Sequence, residues 1–330
     1  MAQLTPLWQY DLDFLKSHLS ENRLPSFVQA CERGFQDQVD QVLAAVQDRP
    51  HLGFIFVSGP TSSGKTSFTG QLCQKLEGLG KRAKLISLDD YYYPGELRYD
   101  AMGHPDLESI ETLELGLLHE HLQQLAEGQT VILPSYDFVE QKRSYQPDRA
   151  ISLEPDTIIL AEGLHGLSKQ VLGGFDPKSY LGIFIMPYAQ FIHGQQILSP
   201  RDLRKLRRCA RDVVHRGSNA LATLDYWPAI QREEENSIQA YLERADIFIN
   251  SALAYELTVV APAAYRALQD ALAQYRTASL PASDLVKPGL YYADLESAVQ
   301  EALRLSAVCE LLPAVDASFV PPGSILHEFI

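Results

Sequence analysis

The stretch FIFVSGPTSSGKTSF, residues 54–68, joins an apolar run to a glycine-rich loop and then to the start of a helix. The spacing of its two glycines, lysine and threonine is that of a phosphate-binding loop. Glycines let backbone N–H groups turn towards phosphate oxygens, and the helix directs its N-terminus at the same anion. Lys65 can reach the β- and γ-phosphates, and Thr66 can hold Mg²⁺. The stretch therefore predicts a nucleoside triphosphate site formed by Gly59, Pro60, Thr61, Ser62, Ser63, Gly64, Lys65, Thr66 and Ser67.

The rest of the chain has the pattern of an α/β fold. Short apolar runs alternate with longer amphipathic stretches, which is typical of βαβ units and a mostly parallel sheet. The aromatic and charged stretch 135–149 is expected to form a hairpin or loop at the edge of that sheet. Together with the phosphate loop, this pattern predicts a three-layer αβα fold of the P-loop NTPase type. The predicted strands are 54–57, 83–88, 131–133, 157–161, 182–186 and 247–249, and the predicted helices are 65–79, 109–127, 200–215, 229–243, 263–277 and 293–312.

Composition and charge exclude several kinds of partner. The 330 residues have a net charge of −14, which disfavours binding to nucleic acid or to an anionic membrane. The sequence has no run of 18 apolar residues, and residues 1–5 lack the basic-then-apolar pattern typical of a secretory signal. The four cysteines are far apart, without the spacing of a zinc site. We expect a soluble, cytoplasmic protein with reduced thiols.

Acidic residues follow two of the predicted strands. Asp89 and Asp90 come directly after the strand 83–88, and Glu162 follows the strand 157–161. Open α/β sheets bind ligands at the carboxyl ends of their strands, where a carboxylate can accept a proton or stand near Mg²⁺ and its water. A turn or helix-capping aspartate and a solvated glutamate are the structural alternatives.

A basic helix stands out in this acidic chain. Residues 201–216 contain seven arginines and lysines, and four of the arginines share one helical face because they lie at positions i, i+3, i+4 and i+7. Such a face could close over a triphosphate and neutralise charge on the transferred phosphoryl group. A solvated charged face and a nucleic-acid patch are the alternatives, and the overall acidity disfavours the second. The four residues are Arg204, Arg207, Arg208 and Arg211.

Several segments resemble one family of enzymes. The chain is similar to the phosphoribulokinase/uridine kinase family, and most of all to its long bacterial uridine kinase-like branch. The resemblance runs from about residue 54 to residue 330. The segments that carry it are SGPTSSGKTSF (58–68), SLDDYYY (87–93), DLESIETLEL (106–115), PSYDFVEQKR (134–143), AEGLHGL (161–167), DLRKLRRCARD (202–212), RGSNALATLDYWP (216–228), ADIFINSALAYEL (245–257) and VPPGSILHEFI (320–330).

The resemblance implies a role for each matching position. Asp89 would be the base for the ribose 5′-hydroxyl, and Glu108 would bind ribose hydroxyls, with Asp106 as a near competitor. Glu162 and Thr66 would hold Mg²⁺. Tyr92 matches the aromatic residue that follows the base and would contact the substrate, while Tyr136 and Phe138 would line the base pocket. Lid arginines would surround the phosphates, and two of them would be catalytic. The catalytic arginines are Arg207 and Arg211, and the other lid arginines are Arg204, Arg208 and Arg216.

Two positions depart from the family's pattern. Gln141 stands where compact uridine-cytidine kinases carry a histidine that reads the pyrimidine, and its amide can still donate and accept hydrogen bonds at a base edge. Gln195, Gln196 and Ile197 stand where the long relatives usually have histidine, asparagine and arginine.

The resemblance implies ATP- or GTP-dependent phosphorylation of uridine or cytidine. A kinase of the same family with another acceptor, such as a sugar phosphate, glycerate or pantothenate, is the first alternative. A nucleotide-binding regulator without phosphotransfer is the second. We expect a helical N-terminal segment (1–50), a P-loop kinase domain (51–278, lid about 196–240) and a helical C-terminal extension (279–330). The apolar end of that extension is expected to dock on the core or on another subunit, which leaves a homo-oligomer open.

Overall fold

The computed structural model describes residues 6–138 and 140–330. The first five residues of the predicted N-terminal segment and residue 139 of the predicted hairpin lie outside them. The strands are β1 Trp8–Asp11, β2 Phe54–Ser58, β3 Arg82–Ser87, β4 Thr130–Asp137, β5 Lys142–Ser152, β6 Thr157–Glu162, β7 Tyr180–Met186, β8 Ala189–His193, β9 Gln195–Leu198 and β10 Ile247–Asn250. The α-helices are α1 Leu12–His18, α2 Leu24–Gln47, α3 Lys65–Gly78, α4 Leu115–Ala126, α5 Lys169–Leu172, α6 Pro200–His215, α7 Ala220–Arg244, α8 Glu256–Arg276 and α9 Leu295–Cys309.

The central sheet has five strands in the order β10-β7-β2-β6-β3, and all its neighbouring strands are parallel. Its middle strands β2 and β6 are buried along their whole length, as expected for a parallel sheet covered on both faces. One apolar cluster contains residues of α2, α3, α6 and α8, and a second contains residues of α4, α5, β4 and the end of α7. These two clusters lie on opposite faces of the sheet, so the three-layer α/β prediction is confirmed.

The predicted hairpin is also present. Strands β4 and β5 pair antiparallel, with a register shift between Ile132 and Pro134. They form a separate two-stranded sheet next to the central one, and they are longer than the predicted strand 131–133. Their turn carries Gln141, whose φ of 51° is left-handed.

Two helices begin earlier than the sequence predicts. The predicted helices 229–243 and 263–277 start directly after Pro228 and Pro262, residues that remove one hydrogen bond from a helix interior. The structure contains both prolines inside helices, since α7 begins at Ala220 and α8 at Glu256. The turns that precede the prolines bury apolar side chains, among them Leu221 and Leu257. Burial of that surface offsets one missing hydrogen bond.

A small second sheet was not predicted. Its order is β1-β8-β9, and β1 runs parallel to β8. The prediction took the first 50 residues as helical, so β1 is a correction. β1 has only four residues and its partner β8 lies about 180 residues further along the chain, a pairing that no local pattern reveals. The Gln195, Gln196 and Ile197 stretch lies in β9, next to the start of α6.

The end of the chain docks on the core. Helix α9 packs against α7 and α8, and Ile325, Leu326 and Phe329 are buried. This is one of the two arrangements expected for the apolar end. Among the described residues, none of the helices is both long and apolar enough to cross a membrane.

Candidate active site

The phosphate loop follows β2, the middle strand of the sheet, and leads into α3. At Gly59 a Cβ atom would lie 2.2 Å from the carbonyl oxygen of Ile185, so a side chain there would collide with β7. Gly64 has a φ of 86°, which favours glycine. Ser62 has a φ of 56°, a left-handed conformation that is uncommon for a serine and is held by the surrounding structure. The backbone of the loop is therefore fixed in a curled shape.

Polar groups on this loop fit an anionic ligand. The hydroxyl oxygens of Ser62 and Ser63 are buried without a hydrogen-bond partner among the described residues. Lys65 donates from Nζ to the carbonyl oxygens of Gly59 and Pro60, at 2.8 and 3.2 Å. Thr66 is exposed at the start of α3. Unsatisfied buried hydroxyls, a lysine and a helix N-terminus are the donors that a triphosphate needs.

Two of the four predicted arginines lie behind the loop. Arg204 donates to the carbonyl oxygen of Thr61 at 3.0 Å and forms a bidentate pair with Glu234. Arg207 has no exposed surface, and its guanidinium donates to Glu256 at 2.7 and 3.0 Å and to the carbonyl oxygen of Ser62 at 3.3 Å. Protein acceptors therefore occupy both side chains. Both side chains contact the loop from its rear, and the catalytic role expected for Arg207 and the phosphate contact expected for Arg204 stay predictions.

The remaining arginines surround one buried acid. Arg208, Arg211 and Arg216 approach Asp212 at 3.0, 3.0 and 3.6 Å, and they hold the pKa of that carboxyl below its usual value despite its burial. Arg208 also donates to the Thr61 hydroxyl at 3.0 Å. Two of these arginines also approach a second carboxylate, because Arg208 lies 3.8 Å from Glu108 and Arg211 lies 3.4 Å from Glu328. The sequence pattern did not reveal Asp212 as the organiser of these arginines.

The structure separates the two neighbouring aspartates. Asp90 accepts from Arg149 at 2.7 Å and from the backbone N–H of Tyr136 at 3.0 Å, so it fastens the hairpin to the sheet. Asp89 is exposed to solvent, although protein groups crowd its carboxylate. The resulting loss of hydration raises the pKa of Asp89, and Lys65 and Arg216 oppose the shift. Of the two aspartates, Asp89 is therefore the one whose side chain is open to solvent.

Glu162 lies buried at the end of β6. Burial raises the pKa of Glu162 to about 7, Lys65 opposes this, and the hydroxyl of Ser87 donates to its carboxylate at 3.3 Å. The carboxylate of Glu162 and the exposed hydroxyl of Thr66 are oxygen ligands of the kind that Mg²⁺ takes in phosphate sites. The residues at this position therefore fit the metal that the sequence predicts.

Glu108 lies where the sheet, α6 and α7 meet. Its carboxylate is 3.8 Å from Arg208, and burial raises the pKa of Glu108 to about 7 although Arg208 opposes the shift. A cleft of about 440 Å³ opens beside it, lined in part by Asp106 and Tyr226. His165 holds Glu108 from behind, because its Nε2 is 2.8 Å from the Glu108 carbonyl oxygen and its Nδ1 is 2.7 Å from the Tyr241 hydroxyl. His165 lies in the quoted AEGLHGL segment, but its role was not predicted.

The predicted aromatic residues form one cluster. The ring centroids of Tyr92, Tyr136 and Phe138 are 5.0–5.6 Å apart in pairs. Tyr136 is buried and Phe138 is about half exposed. Gln141 lies in the turn after them, and its carbonyl oxygen accepts from the N–H of Gly95 at 3.2 Å. The cluster gives the hairpin an apolar face that a flat ring could stack on.

His165 makes stability depend on pH. Burial lowers the pKa of His165 to about 4, so the unfolded chain takes up a proton at higher pH than the folded protein. The contribution of His165 to the free energy of unfolding is therefore complete above about pH 6.5. It falls as the pH drops towards about 4, by roughly 3 kcal/mol at most.

We expect urea unfolding to show that the free energy of unfolding falls less between pH 7 and pH 4.5 for His165→Gln than for the wild type. An equal decrease in the free energy of unfolding of the two proteins would contradict this. Comparing the two proteins at each pH cancels the opposite contributions of Glu108 and Glu162, whose pKa values are raised.

A phosphate loop after the middle strand of a parallel sheet, with carboxylates at the ends of neighbouring strands, defines a P-loop nucleotide-binding enzyme. The model of the phosphoribulokinase/uridine kinase family matches residues 54–257, more than half of the chain. The chain belongs to this family. It is therefore a kinase, a phosphotransferase with a hydroxyl acceptor and a nucleotide donor.

The chain is also similar to individual proteins. A uridine kinase of Macrococcus caseolyticus is 30% identical over 199 residues, which are 59% of this chain and 86% of the relative. A uridine kinase of Halobacterium salinarum is 28% identical over 197 residues, 59% of this chain and 78% of the relative. A solved structure described as a possible uridine kinase from Bacillus stearothermophilus is 20% identical, covers 65% of this chain and 98% of its own, and superposes with a TM-score of 0.43.

Proposed function

We propose that this kinase transfers the γ-phosphoryl group of ATP to the 5′-hydroxyl of a pyrimidine nucleoside, uridine or cytidine. The observation that carries the proposal is the proximity of three groups to one another. Asp89, Glu108 and Tyr92 lie close enough that the charges of both acids raise the pKa of the Tyr92 hydroxyl, after burial. A base, a ribose-binding acid and an aromatic wall are the groups that a nucleoside acceptor requires.

Each group has a role in this proposal. Asp89 accepts the proton of the attacking hydroxyl, and Glu108 accepts hydrogen bonds from ribose hydroxyls. The aromatic cluster and Gln141 face the base. Arg208, Arg211, Arg216 and Lys65 neutralise the phosphates, while Arg204 and Arg207 keep the loop in shape. Most of the rate enhancement then comes from positioning and from charge stabilisation.

Mg²⁺ belongs to the proposal as the metal held by Thr66 and Glu162. When bound, it would neutralise phosphate charge. ATP and GTP both fit the loop, because the loop contacts phosphates alone. A cytoplasmic location is proposed on the four cysteines, which form no disulfide. The division into an N-terminal segment (1–50), a kinase domain (51–278) with a lid (196–240) and a C-terminal extension (279–330) also remains a proposal.

The charges beside Glu108 favour a neutral acceptor. The cleft contains two arginines, but Arg98 pairs with Glu111 at 3.4 Å and Arg232 pairs with Asp100. Asp106 and Glu233 add negative charge to the same cleft. A phosphorylated sugar or a carboxylate acceptor would meet repulsion on this side, whereas a nucleoside carries no charge.

The acceptor is tested by measuring ATP consumption with Mg²⁺ over uridine, cytidine, adenosine, ribulose 5-phosphate, glycerate and pantothenate. We expect turnover with uridine or cytidine that exceeds the rate without acceptor by at least about 100-fold. Turnover with a non-nucleoside alone would reject the proposed acceptor and leave the family assignment intact. ATP binding without turnover over the whole panel would instead support a regulator.

A further inference from the structure

The last residues of the chain, 320–330, which we call the carboxyl-terminal segment, lie against the phosphate loop. The Ile325 Cδ1 atom would be 3.6 Å from a Cβ placed on Gly64. The ring of Phe329 lies under the Arg207 guanidinium, 4.9 Å from its central carbon. Gln71 of α3 donates to the Gly323 carbonyl oxygen at 2.8 Å. The segment is therefore packed beside the nucleotide site, although it lies outside the part of the chain that matches the family model.

Glu328 extends from this segment towards the site. Its Oε2 accepts from the Ser67 hydroxyl at 3.1 Å, and its Oε1 lies 3.4 Å from Nη1 of Arg211. Its side chain keeps about 20% of its surface exposed, so the carboxylate is not sealed inside the protein. Glu328 also adds to the raised pKa of Glu162, which indicates that the two carboxylates are near each other.

A hydroxyl in the first turn of a phosphate-loop helix and a guanidinium together form a site for an oxyanion. Ser67 and Arg211 are also two of the residues assigned above to the nucleotide. We propose that Glu328 is an anionic occupant of the nucleotide site, which the phosphates of ATP must displace from Ser67 and Arg211. The inference rests on the proposed function only in taking ATP as the donor.

Repulsion between like charges explains why a bound triphosphate displaces the Glu328 carboxylate. A triphosphate placed on the loop brings several negative charges close to Glu328, and repulsion is strong at such separations in a partly buried site. If the carboxylate turns away, the Ser67 hydroxyl and Nη1 of Arg211 become free to bind phosphate oxygens, while Nε and Nη2 of Arg211 stay bonded to Asp212. The segment itself can stay in place, because Ile325, Leu326 and Phe329 are buried. Glu328 then lowers the affinity for nucleotide instead of raising it.

A positioning role for Glu328 predicts the opposite sign. If its carboxylate orients Arg211 for the phosphates, its removal would weaken nucleotide binding. The direction of the change in affinity therefore decides between an occupant and a positioning residue.

The test is calorimetric titration of the full chain with Mg·ATP and without acceptor. We expect Glu328→Gln to bind Mg·ATP roughly 10-fold more tightly than the wild type. Glu328→Ala should change the affinity in the same direction, because the charge is lost in both variants. Glu296→Gln is the matched control, since it removes one negative charge from the exposed surface of α9 and should leave the affinity unchanged.

An unchanged or weaker affinity in both Glu328 variants, with folding verified by thermal unfolding, would overturn the inference and leave the kinase assignment standing. Absence of Mg·ATP binding in the wild type and in both variants would reject the inference together with ATP as the donor. Failure of the nucleoside acceptors alone would not affect this test, because no acceptor is present.

Discussion

Replacing Asp89 by asparagine should lower kcat for nucleoside phosphorylation by roughly 10²–10⁴-fold. Asparagine keeps the size of the side chain but cannot accept the proton of the attacking hydroxyl. The Kd for Mg·ATP should stay the same or fall slightly, because one negative charge near Lys65 disappears. Steady-state kinetics and a separate ATP titration measure the two effects.

Asp90→Asn is the matched control for Asp89→Asn. Asp90 is bonded to Arg149 and to the Tyr136 backbone, so its replacement should loosen the hairpin. We expect a higher KM for the nucleoside and a smaller loss of kcat than for Asp89→Asn. If Asp89→Asn kept near-normal turnover, the proposed base would be wrong.

Replacing Glu256 by glutamine should destabilise the protein by about 3–5 kcal/mol. Both Glu256 and Arg207 are fully buried, and the substitution leaves the Arg207 cation without its counter-charge. Glu256 also accepts from the backbone N–H of Leu253 at 2.8 Å, so the loop after β10 loses support as well. Chemical denaturation of the variant and the wild type measures the difference.

The exposed pair of Arg82 and Glu154 provides the comparison for the buried pair. Glu154→Gln removes the same charge from the surface and should cost less than about 1 kcal/mol. A loss for Glu256→Gln as small as that of Glu154→Gln would contradict the role assigned to Arg207 as a buried support of the phosphate loop.

Local pattern predicted the central sheet well. The strands at 54–57 and 157–161 appear within one residue at each end, because buried parallel strands are short apolar runs with clear boundaries. Helix α6 appears with its predicted bounds, since Ser199 and Asp202 form a capping box and Pro200 occupies the first turn. The hydrogen-bonding capacity of these few residues fixes where the helix begins.

The direction in which side chains point was harder to predict. Four arginines on one helical face suggested a single role. In the structure, two of them contact backbone carbonyls of the phosphate loop from behind, and the other two contact Asp212. Arg207 is directed to the rear because Glu256 lies there, almost 50 residues further along the chain. The spacing of residues within a helix predicts which side chains share a face, but it does not predict which groups those side chains contact.

Contacts between residues far apart in the chain could not be predicted from the sequence. Glu328 and Ser67 are 261 positions apart, and the segment HEFI has no feature that indicates a nucleotide site. The distinction between Asp89 and Asp90 came from the family resemblance, and the contacts of Asp90 supply its physical reason. These contacts depend on the tertiary fold, which local propensity does not encode.

The most direct test of the account is to identify the product formed from uridine and Mg·ATP by ³¹P NMR and mass spectrometry, with 5′-deoxyuridine as the matched control. We expect uridine to give its 5′-monophosphate and 5′-deoxyuridine to give no phosphorylated product, because it lacks the accepting hydroxyl. Phosphate on another hydroxyl, phosphorylation of 5′-deoxyuridine, or no product from either uridine or cytidine would contradict the proposed reaction.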